Sequence, residues 1–252
     1  MTSLSNVAIS AMIFQTAAYY LFPLLLWFIL RRRLGVSWRF IGLGTLTWLT
    51  ALPFIIGVPM IVGMLLGNSD PTLRLIAGGV ALSLTAGIVE ETSRYIYYRQ
   101  SATLRDSSNL RHAIVAGAGH GGTESLVLGI QFVVLPAVMM LWFPQFIPAE
   151  LRDLPFSATD ALLNGASRMA IIICHIGFTL LIWQAVSQQR GALYILAVVL
   201  HILLNLLAFV LPVMVPGSSW VGGLFILVLM GWTLMQMLPA LRRLSTAKLG
   251  MG

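Results

Sequence analysis

Three of the eight acidic residues of this 252-residue chain, Glu90, Glu91 and Glu124, lie inside long apolar runs, as do three of its four histidines, His120, His175 and His201. Carboxylates and imidazoles in hydrocarbon cost a few kcal/mol each, so a chain with so few charges keeps them there for a reason. A carboxylate beside imidazoles in a poorly hydrated pocket suits the activation of water. Glu90 or Glu91 would take the proton, and a histidine or Asn205 would stabilise an oxyanion or protonate a leaving amine. Spacing supports the grouping. Glu90 and Arg94 are i,i+4 and Glu91 and Arg94 are i,i+3, so one guanidinium can neutralise a carboxylate on its own helix face. His120 with Glu124 and His201 with Asn205 are also i,i+4, where the second residue can orient the first. Adjacent positions on a helix diverge by ~100°, so one of Glu90 and Glu91 faces the site and the other meets Arg94 or a neighbouring helix.

Three histidines and a glutamate would also make a zinc shell with an open position for water, with His120, His175 and His201 as the possible ligands. The chain has no HEXXH, so a metal is inferred from residue type and depth alone. Arg94, Glu124, His175 and Arg168 are the supporting polar residues of the same region. The run Gly119 to Gly122, with His120 inside it, removes side-chain bulk and permits close helix approach. The lone Cys174 excludes an intrachain disulfide and a cysteine-based metal site. Taken singly, each polar residue has a structural reading: Glu90 with Arg94 as an intramembrane ion pair, His201 with Asn205 as interhelical glue.

These residues need elements to hold them, and the composition says which. The chain is 58% hydrophobic and 9% charged, which leaves a lipid-facing exterior to cover and points to an all-α, polytopic transmembrane bundle. Apolar segments at about 8–30, 40–66, 75–98, 112–143, 160–186, 191–211 and 219–240 make about seven spans. The first follows no basic n-region and reads as a retained span. Pro53 and Pro59 can kink the second and Pro136 the fourth. The net charge of +7 comes from short basic clusters between spans, which argues for topology signals and against nucleic acid. Arg31, Arg32, Arg33, Arg39, Arg99, Arg105, Arg111, Arg190, Arg242, Arg243 and Lys248 share one side, while the opposite loops hold only Arg74 and Arg152. The positive-inside rule then places the N-terminus outside and the C-terminus in the cytoplasm.

With that topology Glu90, His120, His175 and His201 fall in one layer, ~12 to 18 Å below the cytoplasmic surface at ~1.5 Å per residue. No fixed-period repeat or linker divides the chain, so 1–252 is expected to be one helical domain with its polar site within about 75–211. The break from Trp142 to Asp160 is expected to lie on the outer surface with a short interfacial helix.

EETSR at Glu90 to Arg94, GHGGTES at Gly119 to Ser125, SRMAIIICHIG at Ser167 to Gly177 and HILLN at His201 to Asn205 together resemble the motif order of YhfC-like intramembrane peptidases. That group is similar to the wider family of CAAX prenyl proteases and bacteriocin-processing enzymes. The resemblance covers about residues 80–210. It implies a helical-bundle peptidase with Glu90 and Glu91 as the water-activating pair, His120 at the second-motif histidine, and His201 with Asn205 at the third motif. Two departures set prenyl-protein cleavage aside. Only Thr92 and Ser93 separate the Glu pair from Arg94, where the wider family places three residues, and Ala116 stands where it places an aromatic residue.

The expectation is therefore a membrane-embedded protease, glutamate-dependent or metallo-type, that uses zinc if it uses a metal. It would sit as a multi-pass protein in a bacterial cytoplasmic membrane and cleave a peptide or membrane-protein substrate near the cytoplasmic face. A proton-coupled transporter or channel using the Glu/His cluster as a relay would instead string polar residues through the full membrane depth. A non-enzymatic scaffold or immunity protein would tolerate alanine at Glu90, Glu91, His120 and His201.

Overall fold

A computed structural model describes residues 6–146 and 157–249 of the chain, and every regular element in them is helical. In chain order these are α1 (Asn6–Tyr19), α2 (Leu21–Leu34), α3 (Trp38–Leu66), α4 (Pro71–Gln100), the single turn α5 (Ala102–Arg105), α6 (Leu110–Gly129), α7 (Leu135–Trp142), α8 (Ala158–Ser187), α9 (Gly191–Asn205), the single turn α10 (Leu211–Met214) and α11 (Ser219–Leu249). Six stretches among the described residues are long and apolar enough to cross a membrane, with α6–α7 and α9–α10 each counting as one, and α1–α2 forms a seventh if its bent halves are a single span.

Proline and serine chemistry explains where the helices break. The first apolar run, expected as a span over about 8–30, bends by 40° between α1 and α2. Pro23 has no N–H to give the carbonyl of Tyr19, one turn earlier. The hydroxyl of Ser125, on α6, donates to that freed carbonyl at 3.1 Å. Pro136 and Pro212 each follow a π-helical turn, Ile130–Val134 and Leu206–Val210. The wider turn makes room for a ring that would otherwise strike the carbonyl four residues back. Pro53 and Pro59, by contrast, sit inside an unbroken α3. Ser37, Asp70 and Ser157 start α3, α4 and α8 by accepting backbone N–H groups with their side chains. Most of the Trp142 to Asp160 connection, with its expected interfacial helix, lies outside the described residues.

The helices are not equivalent in their surroundings. In α8 the most apolar membrane-length window is 78% buried, against 6% for α3 and 28% for α9–α10. A helix that is apolar on all sides and still hidden is a central one, and α8 packs against α1, α4, α6, α9 and α11. The other spans keep one side for lipid, which accounts for the many exposed Leu, Ile, Val, Phe and Met side chains. One approach is unusually close. A Cβ on Gly44 of α3 would lie 2.7 Å from the backbone nitrogen of His120, and a Cβ on Gly119 of α6 would lie 2.8 Å from Cα of Ile41. Only paired glycines let α3 and α6 touch backbone to backbone.

Candidate functional site

The polar residues of α4, α6, α8 and α9 converge inside the bundle. From α6, His120 places Nε2 2.7 Å from Oε2 of Glu90 on α4. From α8, His175 places Nε2 2.6 Å from Oε2 of Glu124 on α6. One ligand atom from each of Glu90, His120, Glu124 and His175 lies within 4.8 Å of every other. Glu90, His120 and His175 are buried, while the Glu124 side chain keeps 14% exposure. A Cβ on Gly121 would meet Cβ of His175 at 2.8 Å, so the glycine run of α6 is what admits the imidazole of α8.

A second cluster adjoins the first. Glu91, wholly buried, pairs with Arg94 on its own helix, and its Oε1 also lies 2.8 Å from Nδ1 of His201 on α9. Arg94 is wholly buried too and joins the clusters, since Nη2 is 2.9 Å from Nδ1 of His175 and 3.6 Å from Oε2 of Glu90. The rings of His120 and His201 lie 5.4 and 5.2 Å from that of His175, centroid to centroid. On the far side of the site Arg168 of α8 donates to Oε1 of Glu124 at 3.0 Å. Its Nε and Nη2 are buried with no hydrogen-bond partner among the described residues.

Glu90 and Glu91 part as adjacent helix positions must: Glu90 turns to His120, and Glu91 to Arg94 and His201. The i,i+4 pairings on α6 and α9 are a different matter. His120 and Glu124 each reach across to other helices, and no hydrogen bond joins Asn205 to His201, although Asn205 is buried one turn beyond it. Interhelical partners lie within hydrogen-bond distance, so they take the side chains that same-helix spacing would have paired. Of the possible ligands His120, His175 and His201, the first two enter the tight group with Glu90 and Glu124, and His201 directs Nδ1 to Glu91.

Thr47 of α3 is a participant that motif spacing misses. Its hydroxyl donates to the carbonyl of Gly44 at 2.7 Å and lies 2.8 Å from Nδ1 of His120. The hydroxyl of Ser93, on α4, donates to the backbone carbonyl of Thr47 at 2.7 Å, tying α4 to the same point. The available signal was Thr45, Thr47 and Thr50 clustered in an otherwise apolar span. A threonine hydroxyl can satisfy its own helix, however, and so marks a site weakly.

The donor set fits a divalent cation. Thr47 lies within hydrogen-bond distance of both the Gly44 carbonyl and Nδ1 of His120, and with its one proton on Gly44 it accepts from Nδ1–H of His120. In that tautomer Nε2 of His120 is a lone pair facing a carboxylate oxygen 2.7 Å away. At that spacing the two atoms share a proton, which a cation held by both would displace. Oε2 of Glu124 belongs to the same group, 2.6 Å from Nε2 of His175. Imidazole nitrogens and carboxylate oxygens in such a cluster are zinc's N/O donors.

A family model described as the YhfC intramembrane metalloprotease matches residues 18–225, which include every residue of both clusters. The chain belongs to that family. It is also 25% identical over 220 residues to a protein of Bacillus subtilis (strain 168) described as "Uncharacterized membrane protein YhfC", an alignment covering 80% of this chain and 84% of the relative. No solved structure matches the chain. Membership joins the motif order to the geometry: the residues that carry the family resemblance are those that meet across four helices.

Proposed function

We propose that the chain is a membrane-embedded peptidase that hydrolyses a peptide bond with water held at the Glu90, His120, Glu124 and His175 group. The observation that carries this reading is the convergence of those four side chains, from three helices, to within 4.8 Å of one another in a bundle interior. Glu90, His120, Glu124 and His175 are the residues that would hold a divalent cation such as zinc. When bound, the cation polarises water and a carbonyl oxygen. The remaining chemistry belongs to the chain. Glu90 faces His120 with Oε2, and its other carboxylate oxygen would take the proton of the attacking water and pass it to the leaving amine. Glu91 and Arg94 neutralise each other and hold His201 by Nδ1, so its Nε2 carries a lone pair that, once protonated, can donate to the oxygen of the reacting carbonyl. Asn205, one turn further on, supplies an amide to the same oxygen. Glu124 is the most exposed member of the four, so water arrives along its side.

The basic residues between spans support a cytoplasmic C-terminus and a site in the half of a cell membrane nearer the cytoplasm. Peptides or membrane proteins that present an unfolded segment at that depth are the substrates of this reading. A proton relay needs polar groups strung across the membrane, and the compact clusters favour hydrolysis over it.

The test uses purified protein in lipid nanodiscs. Metal content is measured by elemental mass spectrometry, and a pool of synthetic membrane-spanning peptides is incubated with the protein and examined for new termini. We expect about one equivalent of zinc and cleavage that disappears in Glu90→Gln and His120→Ala. A protein that binds no divalent metal and leaves the whole pool intact would overturn the proposal.

A further inference from the structure

Each buried histidine of the site has one ring nitrogen pinned by a partner outside the four-residue group, and the chemistry of that partner decides where the proton sits. Thr47 accepts from Nδ1 of His120, because its own proton goes to Gly44. Glu91 accepts from Nδ1 of His201, because a carboxylate already receiving Arg94 has only lone pairs to offer. In both rings Nδ1 carries the hydrogen and Nε2 the lone pair. His175 is the opposite case. Its Nδ1 faces Nη2 of Arg94 at 2.9 Å, and a guanidinium has five N–H donors and no acceptor. Nδ1 of His175 must therefore be the acceptor, and its single proton lies on Nε2, the nitrogen that faces Glu124 at 2.6 Å.

We propose that Arg94 locks His175 in the donor tautomer, so that it stands in the wall of the site as a hydrogen-bond donor to Glu124 and not as a metal ligand. The inference rests on the reading of the group as a metal site and decides which of its members bind. A metal-bound imidazole gives its lone pair to the ion and donates its other N–H to an acceptor. His120 meets that requirement through Thr47, but His175, facing a cation at Nδ1, cannot meet it through Nε2. Glu90, His120 and Glu124 remain as three ligands from two helices. Three protein ligands and a vacant fourth position characterise hydrolytic zinc sites, whereas four closed ligands characterise structural ones. Arg94 is thus a positioning residue: it neutralises Glu91, and through His175 it keeps the fourth position for water. His175 Nε2–H holds Glu124 in place as a ligand.

The four histidines of the chain make the proton positions directly measurable. Full-length protein carrying ¹⁵N-histidine is placed in bilayers near neutral pH, peaks are assigned by single His→Gln variants, and protonated and unprotonated ring nitrogens are distinguished by their shifts. We expect Nε2–H at His175 and Nδ1–H at His120 and His201. Thr47→Val should release His120 to a mixture of tautomers, while Thr47→Ser and the His175 signal stay unchanged. Zinc should then shift Nε2 of His120 and leave Nε2–H of His175 in place. A proton on Nδ1 of His175 in the metal-free protein, or loss of its Nε2–H on adding zinc, would overturn the inference while leaving metal binding intact. Failure of zinc to bind, with the tautomers as stated, would sink the metal reading and leave the division of the histidines standing.

Discussion

The contact between α3 and α6 can be tested with two glycines that lie two residues apart. Gly42 faces outward, and a Cβ there would meet nothing within 4 Å; a Cβ on Gly44 would lie 2.7 Å from the His120 nitrogen and nearer still to the Ala116 carbonyl. Ordinary contact begins at 3.4 Å, and both opposing atoms are backbone, so neither can rotate aside. Gly44→Ala must push the helices apart. Overpacking of this kind costs about 1–3 kcal/mol, and a clash with backbone belongs at the upper end. Alanine returns up to about 1 kcal/mol of helix propensity at either position. The movement also stretches the 2.8 Å contact between Thr47 and His120, and losing it costs a further ~1 kcal/mol. Gly44→Ala is therefore expected to destabilise by about 3 kcal/mol and Gly42→Ala to be neutral or mildly stabilising. Equilibrium unfolding in mixed micelles with increasing dodecyl sulfate, followed by tryptophan fluorescence, measures both. If Gly44→Ala unfolded within 0.5 kcal/mol of the wild type, a range expected only for inconsequential surface changes, the backbone contact argued for α3 and α6 would be wrong.

Three other outcomes follow from the same geometry. Arg94→Met leaves the Glu91 carboxylate buried without its cation and should cost about 3–5 kcal/mol in the same unfolding measurement, with Arg94→Lys recovering part of the loss. Thr47→Val should weaken zinc binding about 10–100-fold in competition with a chromophoric chelator, and Thr47→Ser should bind as the wild type does. Glu124→Gln removes an anionic donor and takes from the buried Arg168 the carboxylate that its Nη1 meets at 3.0 Å, so both zinc stoichiometry and thermal stability should fall. Zinc retained at full occupancy in Glu124→Gln would remove Glu124 from the ligand set.

Much was legible in the residues alone because it depends on local rules. Apolar runs of membrane length identify the spans, since hydrocarbon leaves the backbone no partner but its own helix. The expense of burying charge singled out Glu90, Glu91, His120, Glu124, His175 and His201. Spacing along one helix foretold the pairing of Glu91 with Arg94, because residues three and four apart share a face whatever surrounds them. The bend at Tyr20 was not visible in the same way. Pro23 supplies the broken hydrogen bond, but the hydroxyl that takes the freed carbonyl comes from Ser125, about a hundred residues later.

Which imidazole meets which partner was decided by the tertiary structure. His120 could have paired with Glu124 and His201 with Asn205 by spacing, yet they meet Glu90, Thr47 and Glu91. Helix rotation and crossing set these distances, and no single helix's periodicity contains them. The place of α8 at the centre of the bundle, the role of Thr47 and the opposition of Arg94 to His175 have the same origin. The sequence determined that carboxylates and imidazoles would be buried in a membrane, because hydrophobicity is a property of each residue. Packing decided which nitrogen keeps its proton, because a hydrogen bond is a property of two residues and the distance between them.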